Sequence, residues 1–205
     1  MAMSRKTALV IMVGSLLAAT ALAKEKLLTG IPLTWKPTTS ITKLGMVNIT
    51  GLSSVAIRFD PLTDGRPNRE VVGENREDED EGKTLPVSTS ADVAAFLSEH
   101  IRQLLDESGI STVTEGGDVV ISGTVKRFFV TETGRYQGEV MLAMKVADSR
   151  GNVRWEGMAS GGSKRFGRSY KAENYYETLS DSVVEAVYKM LSSSEFMAAL
   201  RGPAK

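Results

Sequence analysis

Five consecutive carboxylates, Glu77, Asp78, Glu79, Asp80 and Glu81, interrupt the chain between Arg76 and Lys83. Carboxylates are hard ligands for divalent cations, but a calcium loop spaces them at alternating positions around a glycine that makes the sharp turn. Here they are adjacent and flanked by bases, so the run reads first as a solvated acidic loop and only second as a weak divalent-ion site. The single histidine, His100, lies beside a helical apolar stripe. A triad or a zinc site needs further groups converging on it, and the bland reading is a helix-flank histidine. The run GMASGGSK, Gly157 to Lys164, has the glycine interval of a phosphate loop, but Ser163-Lys164 reverse the lysine-then-hydroxyl order that such a loop requires. A strand that bulges or frays is expected there. Two tryptophans do not suggest an aromatic-lined sugar cleft. No catalytic residue, metal ligand or cofactor is assigned, and the chain is expected not to be an enzyme.

The best interaction candidate is GGSKRFGRSYKAENYYE, in which Lys164, Arg165, Arg168 and Lys171 alternate with Phe166, Tyr170, Tyr175 and Tyr176. Cations interleaved with rings suit protein hot spots and anionic partners. Lys164, Arg165, Phe166, Arg168, Tyr170 and Lys171 are therefore the expected partner-binding residues, with the acidic loop Glu77 to Glu81 as a second surface. The competing reading is a solvated connection with Tyr175 and Tyr176 tucked into the core. Formal charge is zero and names no partner, but its distribution is uneven: residues 60–115 hold fourteen acids against five bases, and 121–171 hold ten bases against four acids.

The elements that must position these groups follow from periodicity. Val55, Ile57 and Phe59 alternate with Ser54, Ala56 and Arg58, which predicts a half-buried strand ending at Asp60-Pro61. Residues 60–86 carry three prolines, three glycines and few apolar groups, and are expected to form a mobile acidic loop. Val93, Leu97, Ile101 and Leu104 recur at helical steps up to a stop at Gly109. Three β-rich runs, DVVISGTVKRFFVTE, GEVMLAMKVAD and VRWEGMASGGS, are separated by turn residues and predict an antiparallel meander. Tyr176, Leu179, Val183, Val187 and Met190 predict a second long helix, and SSSE at Ser192 to Glu195 a capping box for a short last one. The expected fold is α+β: a two-layer sandwich of a four-stranded, mainly antiparallel sheet with two long helices on one face, in the order β-α-β-β-β-α, plus the C-terminal helix.

Arg5 and Lys6, an apolar run from about Ala8 to Leu22, and Ala21-Leu22-Ala23 make a secretory signal peptide over 1–23. Its apolar core is shorter than the roughly 20 residues a spanning helix needs, so cleavage is favoured over a retained anchor. An extended arm over 24–51, a single domain over 52–201 and a tail over 202–205 complete the organisation. The chain has no cysteine, which excludes disulfides, thiolate chemistry and a lipid-modified cysteine. Export argues against nucleic acid as a partner. The sequence sets no oligomeric state.

VAIRFDPLTDGR, VAAFLSEHIRQLLDESGI, DVVISGTVKRFFV, YQGEVMLAMKVADSRGNVRWEG and the closing ALRG, over about residues 52–200, together resemble the YajG-like family of bacterial envelope lipoproteins. The shared touches are Asp64 and Arg66, the Gly109 stop, the Tyr-x-Gly before the middle meander strand, and Asp148 to Gly151. The resemblance implies a non-catalytic periplasmic or outer-membrane-associated accessory protein that docks onto an envelope protein or an anionic envelope lipid and is at most peripheral to the membrane. Lys24 stands where a lipoprotein carries cysteine, so a soluble form is expected. Auxiliary lipoproteins of lipid-transport systems resemble it too, and imply the alternative of a lipid- or lipopolysaccharide-transport component that binds an apolar ligand.

Overall fold

A computed structural model describes residues 27–202; the expected signal segment 1–23 and most of the tail lie outside the described residues. The backbone of the fold is a meander of three 14-residue strands, β6 (Val119–Glu132), β7 (Arg135–Asp148) and β8 (Val153–Phe166). Register is regular from Trp155 to Phe166, so GMASGGSK is unbroken mid-strand and neither bulges nor frays.

Among the described residues the sheet has eight strands and is mixed, which corrects the expected four-stranded, mainly antiparallel sheet under two long helices. The difference comes from short strands that use β6 as a template. β1 (Ile57–Phe59), β2 (Thr63–Asp64) and β3 (Val71–Asn75) lie end to end along one edge of β6, all parallel to it. β4 (Leu85–Ser88) pairs antiparallel with β3, and β5 (Thr112–Val113) pairs parallel with β1. β2, β3 and β5, of two to five residues, show no usable period, and their order is imposed by their strand neighbours. The path across the sheet is β4-β3-β6-β7-β8, with β1, β2 and β5 beside it.

Residues 60–86, expected as one mobile loop, therefore contain β2, β3 and the start of β4. The turn between β2 and β3 is closed by Arg66, whose buried guanidinium bonds Asp64 (2.8 Å) and the carbonyls of Arg69 and Val71. Burial pushes the Asp64 carboxyl up, but the Arg66 hydrogen bonds and charge outweigh it and hold it below the usual carboxylate range.

Helices cover one face. α2 (Val93–Glu107) starts at Asp92, whose side chain accepts from Ala95 N, and stops at Gly109 with φ +81°. α3 (Ala172–Ser192) and α4 (Ser194–Arg201) follow β8. Gly138 and Gly161 bring α3 against the sheet: a Cβ on Gly161 would fall on the Ser182 carbonyl and the Ala186 amide, and one on Gly138 on the Ser182 hydroxyl. The interface is filled by Phe128, Val130, Val140 and Leu142 from the sheet and Leu97, Ile101, Val183 and Val187 from the helices, all at most 1% exposed.

The segment before β1 forms a third layer. Leu28 and Ile31 bond the backbone of Ser88 at the free edge of β4. Trp35 stacks on His100, ring centroids 4.4 Å apart, so the lone histidine is a packing residue. Thr38 and Thr39 give three hydrogen bonds to the buried Asp181 carboxylate of α3. A helical turn, α1 (Ile41–Leu44), packs on α3, and Arg201 holds the carbonyls of Asn48 and Thr50.

Candidate functional site

Three connections meet at one end of the sheet: the β3–β4 turn with the acid run, the β6–β7 turn at Gly134, and the β8–α3 loop with the basic-aromatic segment. Glu77 joins them. Its carboxylate accepts from the Gly134 amide and pairs with Arg168 (3.2 Å). The acidic and basic surfaces, expected as two separate docking sites, thus touch one another within the chain. Asp78 closes the turn through its carbonyl, which accepts from the Glu81 and Lys83 amides, while Asp80 and Glu81 are exposed. Residues Glu79–Glu81 form a 3-10 turn, and the Glu79 side chain lies outside the described groups. Among the described residues no three His, Cys, Asp or Glu side chains gather as a cation site.

The structure divides the six expected partner-binding residues. Tyr170 points inward with φ +40°; its hydroxyl donates to the Pro86 carbonyl and accepts from the Leu28 amide. Arg165 also faces inward, pairing with Glu177 (2.5 Å) and Asp181 (3.7 Å). These two are structural. Lys164 and Lys171 are exposed, Arg168 is largely so despite its contact with Glu77, and Phe166 is 98% exposed. Sequence reasoning missed Arg135, which lies opposite Phe166 in the sheet. Together Arg135, Lys164, Phe166 and Arg168 line an open groove of about 480 Å³. The strand period held the signal: Ala159, Gly161, Ser163 and Arg165 share the inward parity, and Lys164 and Phe166 the outward one.

The loop that follows β8 and bounds this surface is held from beneath. Glu132, fully buried, accepts hydrogen bonds from the Ser169 amide (3.0 Å), the Tyr170 amide (3.0 Å) and the Tyr175 hydroxyl (2.9 Å). Burial, and then the Glu132 charge, push the Tyr175 phenol far up, so it stays a proton donor. Tyr136 packs edge-on against Tyr175 and meets Ser169. The arrangement fixes a short loop beside the sheet's end, where an aromatic ring and several cations are exposed.

No family model matches the chain, and no curated protein matches it. Solved structures do. A DUF330-family protein from Xanthomonas campestris aligns with TM-score 0.54 at 11% identity, over 82% of this chain and 94% of that one. Weaker likenesses are to a candidate lipoprotein from Caulobacter crescentus (TM-score 0.42, 12% identity, 70% and 89% covered) and to a lipoprotein from Neisseria meningitidis (0.29, 17%, 58% and 89%). At 11% identity, what the Xanthomonas protein shares with this chain is the fold.

Proposed function

We propose that this chain is an exported, non-catalytic accessory protein of the bacterial envelope, periplasmic or outer-membrane-associated as the YajG-like resemblance implies, and that it docks onto another envelope component through the end of its sheet. The observation that carries the reading is Phe166, a large ring 98% exposed at the end of β8 among Arg135, Lys164 and Arg168, beside a loop held by buried Glu132. Rings and arginines on a rigid base are the composition of a binding hot spot, because little side-chain freedom is left to lose on association. The Lys164–Lys171 region keeps this role without Arg165 and Tyr170, which serve the fold. Export rests on the sequence of residues 1–23. Among the described residues no helix is long and apolar enough to cross a membrane.

The lipid-carrier alternative needs an apolar chamber between sheet and helices. That interface is packed with side chains, and the glycine contacts bring α3 onto the strands. The test is photocrosslinking in the native cell from position 166, with mass spectrometry of the captured species. One dominant envelope protein is expected, with yield falling at least about 10-fold when Arg135→Glu is added at unchanged thermal stability. Capture from an internal α2 or α3 position by lipid instead, with nothing specific at 166, would overturn docking.

A further inference from the structure

Among the described residues the chain itself covers the β4 edge of the sheet but not the β8 edge. Beyond β4 the backbone of Leu28 and Ile31 pairs with Ser88. Among the described residues β8 pairs with β7 alone, leaving a 14-residue edge. Along that edge the Gly162 amide points away from β7, since it donates to the Glu185 carboxylate (2.5 Å). By the two-residue period of a strand, Glu156, Met158, Ser160 and Lys164 also turn their backbone groups outward. An exposed edge of this length is a template for another strand.

The charges on the edge are self-complementary about Ser160. Glu156 and Lys164 stand four residues to either side of it, both exposed, and neither forms an ion pair among the described residues. In an antiparallel pairing of two copies centred on Ser160, Glu156 of each faces Lys164 of the other, and Met158 faces the bare Gly162.

We infer that the β8 edge is the contact for a second copy of this chain, forming one continuous sheet through an isologous β8–β8 pairing centred on Ser160. In a single copy Glu185 covers the Gly162 amide; in the pair the Met158 carbonyl of the second copy takes its place. The docking surface at Phe166 lies beyond the paired stretch 156–164 and is left free.

The absence of cysteine makes the test clean. In the purified chain lacking residues 1–23, a Ser160→Cys variant is expected to form a disulfide dimer under mild oxidation, and sedimentation should show a dimer at tens of micromolar before oxidation. Glu156→Lys and Lys164→Glu should each weaken the dimer about 10-fold or more, since each change sets like charges opposite one another twice, and the double reversal should restore it. A monomer at these concentrations, a dimer whose Ser160→Cys form stays reduced, or a double reversal that fails to restore association would each overturn the proposal. So would an extended segment of another protein, captured in place of the second copy.

Discussion

The two faces of the sheet are built by opposite rules. The helical face is covered twice, by α2 and α3 and then by residues 28–50, and it tolerates buried polar groups only because each has a partner: Asp181 binds Thr38 and Thr39, and Ser182 bonds the Thr178 carbonyl. Among the described residues the other face carries no helix. There Arg127 pairs with Glu139 in solvent and lies over the Phe129 ring, and Met141 and Met158 are only partly covered. A long meander needs one dry face to hold together, so the second is left available for contacts.

The sharpest way to break this contrast is at two adjacent glycines. Gly161 faces α3 and Gly162 faces away. Gly161→Ala should cost about 3 kcal/mol in urea unfolding, because the atoms a Cβ would meet are backbone and cannot swing aside. Gly162→Ala, which meets only the Gly138 carbonyl at 3.2 Å, should change stability by less than about 0.5 kcal/mol. Equal effects would mean that α3 does not rest on the strand. Next in size, Asp181→Ala removes three charge-assisted hydrogen bonds and should cost about 2 kcal/mol, with residues 34–40 becoming the first protease-sensitive site. Smallest, Glu139→Gln on the second face should move stability by no more than about 0.5 kcal/mol, measured in the same way, because that pair is half exposed and screened.

The parts that could be read from sequence were those that carry their own period. The meander and the helical stripes of α2 and α3 fall into this class. β2, β3 and β5 do not: Val71 to Asn75 gains its order from Val130 to Glu132, some 57 residues later, and local composition carries no trace of that pairing. The candidate site divides in the same way. Phe166 and Lys164 could be placed on the outer face by alternation, whereas Arg165 looked like one more exposed cation because its acids, Glu177 and Asp181, belong to a helix a dozen residues away. Glu132 gave no signal; an acid at the end of a strand ordinarily reads as solvated, and only the fold brings the Ser169 and Tyr170 amides and Tyr175 around it.

The outer layer also sets an order of events. Leu28 reaches Tyr170 across 142 positions, and Asn48 reaches Arg201 across 153. A ribosome delivers the first of each pair long before the second, so the strap waits for its last partners until the final helix is made. Its closure then reports that the whole chain has arrived, and a truncated product lacking α3 and α4 keeps an open strap that proteases can find.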